Sequence, residues 1–70
     1  PDIEVAVPLT YFPKNKRPAM LFIELKSDKG RLRKNQQEVL EKLSLCGHYC
    51  CVAYSLQDVE DFIKGIFDDN

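Results

Sequence analysis

The chain has 70 residues, 44% of them hydrophobic and 30% charged, with a formal net charge of −1. A chain this short makes one domain at most and buries only about 60% of the surface its unfolded form exposes, so its core is expected to be marginal. No apolar run reaches the roughly 18 residues of a membrane span, and the opening residues, PDIEVAV, lack the basic-then-apolar layout of a secretory signal.

A soluble chain of the cytoplasm, or of the nucleus in a eukaryote, is therefore expected. Three cysteines, Cys46, Cys50 and Cys51, are too few and too bunched for a disulfide framework, in keeping with a reducing compartment. The small net charge conceals an uneven distribution. Residues 14–34 hold eight basic side chains against Glu24 and Asp28, a net of +6, whereas residues 35–70 hold Lys42 and Lys64 against seven acids, a net of −5. A basic segment within an acidic protein reads either as a polyanion-facing surface or as a solvated, lysine-rich loop.

In chain order, PDIEVAV alternates Ile3, Val5 and Val7 against Asp2, Glu4 and Ala6, the period of a strand with one wet face, and Pro8 closes it. YFPKNKRPA carries two prolines and an asparagine among bases and reads as an exposed turn or hairpin loop. AMLFIELK is the second strand, with Leu21, Ile23 and Leu25 on one face and Met20, Phe22, Glu24 and Lys26 on the other; Asp28, Lys29 and Gly30 break it. From about Lys34 the period becomes helical, with Val39, Leu40 and Leu43 on one stripe and Gly47 as the stop. HYCCVAY reads as a strand buried on both faces. Ser55 then caps a second helix whose Val59, Phe62, Ile63, Ile66 and Phe67 form an apolar stripe. Strand, strand, helix, strand, helix gives an α/β layer structure whose sheet is mixed: a hairpin-like first pair, then a pair joined by a helical crossover. A three-stranded sheet is thin for independent stability, so further protein or a partner chain is expected to complete it.

The chemistry-bearing residues gather on the wet faces. Pairing of the first two strands would bring Asp2, Glu24 and Lys26 into one pocket, two carboxylates and an ammonium. Carboxylates suit a hard cation such as Mg²⁺, which uses one or two of them and keeps positions for water and phosphate. A lysine two residues from a metal-binding glutamate can orient an attacking water or stabilise developing negative charge. Gln36 precedes Val39, Leu40 and Leu43 by three, four and seven residues, so its amide lies on the inward stripe, either facing the pocket or bonding the free amides at the helix start. The bland alternative for Glu24 and Lys26 is a surface ion pair. A rival metal cluster, Cys46, His48, Cys50 and Cys51, lacks the paired ligand groups of structural zinc sites, and its adjacent Cys50 and Cys51 point to opposite faces; buried small hydrophobes are the expectation there, with His48 an edge residue.

With PDI, FIELKSDKGRLRKNQ and LCGHYCCVAYS in hand, the chain resembles the VRR-NUC domain, a branch of the PD-(D/E)XK nuclease superfamily found in phage and bacterial proteins and in a eukaryotic interstrand-crosslink repair nuclease. The resemblance spans residues 1–70 as one domain. It rests on the ordered set of Pro-Asp, Glu-Leu-Lys, KGRL with Gln36 four residues after Leu32, and Gly47 before the last strand. It implies a restriction-endonuclease-like core, with Asp2, Glu24 and the backbone carbonyl of Leu25 as ligands of Mg²⁺ or Mn²⁺, Lys26 as the catalytic lysine and Gln36 supporting the site. It also implies DNA as partner, often branched as in flaps and Holliday junctions, and a homodimer. The family's usual N-terminal helix with a further acid, its first strand and a glycine before the Pro-Asp are lacking. The sequence is accordingly expected to be either the C-terminal part of a longer domain or a site with one acid fewer. Lys14, Lys16 and Arg17 on one side of the site in sequence, and Lys29, Arg31, Arg33 and Lys34 on the other, would neutralise phosphates. The reading is thus a metal-dependent DNA endonuclease; the alternative is a non-catalytic DNA-binding or assembly module of the same fold.

Overall fold

Two of the three strands are laid down by sequence alternation and the third by an apolar run, and they join into a single sheet of order β1-β2-β3. The computed structural model describes residues 1–27 and 30–68, with β1 at Ile3–Val5, β2 at Leu21–Leu25, α1 at Lys34–Leu45, β3 at Tyr49–Ala53 and α2 at Leu56–Phe67. β1 runs antiparallel to β2, with Ile3 opposite Ile23 and Val5 opposite Leu21. β2 runs parallel to β3, with Leu21 opposite Tyr49 and Leu25 opposite Ala53. The mixed sheet and the helical crossover expected from the sequence are both present.

β1 is shorter than the alternation of PDIEVAV suggests, because pairing ends at Val5, where β2 begins. The connection from β1 to β2 is not a plain exposed loop. It includes a 3-10 turn, Leu9–Tyr11, and then drives Phe12 into the core at 8% exposure. Phe12 stacks on Tyr49 with ring centroids 6.1 Å apart and lies 5.1 Å from Phe67. With Leu21 and Ile66 it forms the core between the sheet and α2, flanked by Val5, Val7 and Phe62. Each such aliphatic or aromatic side chain contributes about 1.5–3 kcal/mol on full burial.

The opposite face of β2 corrects the sequence reading. Alternation marks it as wet, yet Phe22 is 6% and Glu24 5% exposed, because α1 lies across it. Leu40, from the helix's inward stripe, is buried there as well. Conversely Leu25, assigned to the buried face, is exposed at the strand end, as are Val39 and Ile63 on the helices. β3 is half-buried along most of its length, with Ala53 alone fully covered, since among the described residues it is an edge strand with no partner on its far side.

Both helix termini follow local chemistry. Gly47 has φ +93°, a left-handed conformation that costs a residue with a Cβ about 1–2 kcal/mol. It allows the His48 N–H to donate to the Leu43 carbonyl at 3.1 Å and the Gly47 N–H to the Ser44 carbonyl at 2.9 Å, the Schellman pattern. At the start of α2, Ser55 Oγ accepts from the Asp58 N–H at 3.1 Å, and Asp58 Oδ2 reaches back to accept from the Tyr54 N–H at 2.8 Å.

Candidate active site

Stepping the antiparallel register one residue beyond Ile3 and Ile23 brings Asp2 opposite Glu24, at the N-terminal end of β1 and the C-terminal end of β2. The Asp2 N–H donates to the Ile23 carbonyl at 3.1 Å, which extends the pairing, and the Leu25 N–H donates to Asp2 Oδ2 at 2.8 Å. Lys26 follows β2 and is held to β3 by its N–H, 2.9 Å from the Ala53 carbonyl. From above, the first turn of α1 lowers Gln36 onto the pair. Gln36 Oε1 accepts from Lys26 Nζ at 2.9 Å, while its Nε2 lies 3.5 Å from Glu24 Oε2, a long hydrogen bond. The four residues singled out by the resemblance, Asp2, Glu24, Lys26 and Gln36, therefore meet from three elements.

Both sequence-level alternatives for Gln36 are realised at once. The same Oε1 that receives Lys26 also accepts the Arg33 N–H at 3.0 Å, satisfying a free amide at the helix start. An open cleft of about 310 Å³ results, lined by Pro1, Asp2, Glu24, Asn35, Gln36 and Val39. Sequence reasoning does not single out Asn35 or Val39 for it. Asn35 flanks Gln36 on the exposed first turn, where its Oδ1 accepts the Gln36 N–H at 2.9 Å; Val39, assigned by its period wholly to the core, lines the cleft instead.

The two carboxyls differ in electrostatics. Burial under α1, together with a hydrogen bond and charge from Asp2, raises Glu24 above the usual carboxylate range. The Leu25 N–H, followed by the hydrogen bond to Glu24, lowers Asp2 below it. Each carboxyl acts on the other through hydrogen bonding and charge, as expected of two acids held close together. A divalent cation would neutralise both at once, and a hard ion such as Mg²⁺ commonly uses one or two carboxylates and otherwise water or phosphate. The donor set fits such an ion, with Asp2 and Glu24 as the acidic ligands. Among the described residues no group of three or more His, Cys, Asp or Glu side chains is assembled for a metal. The remaining positions would thus fall to neutral oxygens, of which the Leu25 carbonyl is the one the family resemblance implies.

The basic residues divide into two groups rather than flanking the site from both sides. Arg31, Arg33 and Lys34 are exposed on the approach to α1, beside the cleft. Lys29 lies outside the described residues. Lys14, Lys16 and Arg17 belong to the connection that enters β2 at its opposite end, where Tyr49 Oη donates to the Arg17 carbonyl at 2.8 Å. Three residues of strand rise, about 10 Å, separate Leu21 there from Glu24 at the cleft.

The cysteine-rich strand serves the fold. His48 Nδ1 accepts the Met20 N–H at 3.1 Å, and its ring meets Phe22 edge-on at 5.4 Å. Cys50 Sγ lies 3.6 Å from the Leu40 carbonyl on the α1 side, whereas the Cys51 thiol is affected by Asp58 of α2 on the other. Comparisons of the chain with protein-family models, with curated proteins and with solved structures each return no match.

Proposed function

We propose that the chain carries the catalytic centre of a metal-dependent DNA endonuclease with a restriction-endonuclease-like core of the VRR-NUC type. The observation that carries this reading is the Asp2–Glu24–Lys26–Gln36 cluster. Asp2, Glu24 and Gln36, brought from distant positions in sequence, line one cleft, and Lys26, ten positions before Gln36, joins them through its Nζ, 2.9 Å from Gln36 Oε1.

A bound Mg²⁺ or Mn²⁺ would supply Lewis-acid polarisation of the phosphate and a more acidic water. Asp2 and Glu24 would hold it through their carboxylates. Gln36 accepts a hydrogen bond from Lys26 and so removes rotational freedom from the ammonium, which otherwise costs a long side chain up to about 2 kcal/mol to order. Held next to Gln36, which lines the cleft, the Lys26 ammonium would stabilise negative charge developing on phosphate or orient the attacking water. Arg31, Arg33 and Lys34 contact flanking phosphates, which favours recognition of DNA shape over base sequence. The substrate in this reading is branched DNA, such as flaps or four-way junctions.

Cleavage of labelled junction, flap, duplex and single-stranded DNA with Mg²⁺ or Mn²⁺ tests it. Glu24→Ala and Lys26→Ala are each expected to lower the rate by about a hundredfold or more. A wild type that binds every substrate and cuts none would instead make the chain a non-catalytic DNA-binding module. Cutting that survives both substitutions would remove the site assignment.

A further inference from the structure

At the end of the sheet away from the cleft, Arg17 lies over the turn that closes α1. A Cβ placed on Gly47 would lie 3.1 Å from Arg17 Cζ and 3.1 and 3.3 Å from its two terminal nitrogens, so the guanidinium packs face-on against the glycine. In that pose its N–H bonds point edgewise, away from the turn. Among the described residues Arg17 makes no side-chain ion pair or hydrogen bond; its one hydrogen-bond partner takes the backbone carbonyl. Nor does the helix end need it, since the Lys42, Leu43 and Ser44 carbonyls are already taken by backbone N–H groups of Cys46, His48 and Gly47.

The turn around Arg17 is fixed as well as basic. Its carbonyl is held by Tyr49 Oη, and the Lys16 N–H donates to the Pro13 carbonyl at 3.0 Å. Pro13 and Pro18 restrict φ on either side. Lys14 and Lys16 share the turn, and residues 13–20 contain no acid. A rigid fork of unengaged guanidinium donors flanked by ammonium groups is preorganised for phosphate oxygens.

We propose that the 13–18 turn is a second phosphate-binding surface that takes the backbone of duplex DNA together with Arg31, Arg33 and Lys34; this rests on the DNA-cleavage reading above. α1 connects the two surfaces. Its 12 residues set them about 18 Å apart, which corresponds to about five base pairs of axial rise. The outward stripe of α1 between them is Lys34, Glu38, Glu41 and Leu45, all exposed. A single strand laid along that stripe meets two glutamates. A duplex bridging the two ends places phosphates at each and a groove over the acids, so the surface selects duplex arms over single strands.

Fluorescence anisotropy in EDTA tests this with a labelled duplex of about 20 base pairs and the matching single strand, each across a salt series. Lys14→Ala/Lys16→Ala/Arg17→Ala is expected to weaken duplex binding about tenfold and to make the log K against log salt slope shallower by about 2.7, at 0.9 for each phosphate no longer neutralised. Single-strand affinity should change less than about twofold. Lys14→Gln/Lys16→Gln leaves the packing of Arg17 on Gly47 in place and should make the slope shallower by about 1.8, so a folding defect in the triple variant does not decide the result. An unchanged duplex slope in both variants, an equal loss on single strands, or tighter binding to an RNA duplex of the same sequence would each overturn the proposal. Cleavage with Mg²⁺ is scored separately. A wild type that binds duplex through this turn but never cuts defeats the cleavage reading while supporting the surface.

Discussion

Gln36 is the residue on which most of the candidate site depends. One amide oxygen serves both Lys26 Nζ and the Arg33 N–H, and the amide nitrogen reaches toward Glu24. Gln36→Ala is expected to cost about 1 kcal/mol through removal of the helix-start bond, or about 4–8 °C in Tm for a chain of this size by thermal denaturation. On the nuclease reading, cleavage should fall further than this destabilisation explains, because Lys26 loses its partner on α1. The metal reading gives a readout apart from activity: Mg²⁺ should raise the Tm of the wild type, since ligand that binds only the folded state stabilises it, and should leave Asp2→Asn/Glu24→Gln unmoved. Desolvation raises the thiols of Cys50 and Cys51 above the ordinary cysteine value, with the charge of Asp58 adding to the rise at Cys51, so their thiolates are scarcer than an exposed cysteine's at a given pH. Cys46 is exposed at the end of α1. Limited alkylation near pH 8 followed by peptide mapping should modify Cys46 first, with Cys50 and Cys51 reacting only as the pH climbs or the chain unfolds. At this scale the sequence is legible where a residue's partner lies on its own element or its neighbour. It is silent on Asn35 and Val39, whose place at the cleft depends on how far α1 slides along the sheet.

Among the elements, the two helices are the most legible, because their apolar stripes and terminal residues encode start and stop locally. Ser55 and Gly47 do what their types suggest. Gly47→Ala is expected to cost about 1–2 kcal/mol by denaturant titration, because the left-handed conformation is retained and Arg17 must also shift. Ser55→Ala should cost about 1 kcal/mol, since the Asp58 N–H loses its acceptor. β2 is the least legible element. Its period correctly separates Leu21 and Ile23 from Phe22 and Glu24, yet period alone does not tell which faces a helix covers. α1 covers the second face, so Glu24 is buried, and this burial is what raises its carboxyl. The connection from β1 to β2 departs from its sequence reading for a similar reason. Its prolines and bases mark a loop correctly, but they say nothing of Phe12, which a distant contact with Tyr49 and Phe67 draws inward.

For the molecule as a whole, the α/β class, the strand directions and the helical crossover follow from element order, because parallel strands need a long connection and antiparallel ones do not. The separation of the two basic groups does not, since it depends on which end of the sheet each loop visits. Among the described residues β2 is the only strand with neighbours on both sides, so its amides should exchange most slowly with deuterium, and those of β1 faster. Among the described residues the outer edges of β1 and β3 carry no further strand; on the homodimer reading, the mass in solution should be twice the chain's 8.1 kDa. The site itself belongs to this scale. Leu25 and Asp2 are 23 residues apart, Gln36 and Glu24 12, and Lys26 and Gln36 10, and no single helix or hairpin contains them all. On the nuclease reading, a half-made or proteolysed copy therefore has no working scissors. The tertiary fold would then act as a safety catch, leaving DNA open to cutting only by chains that have finished folding.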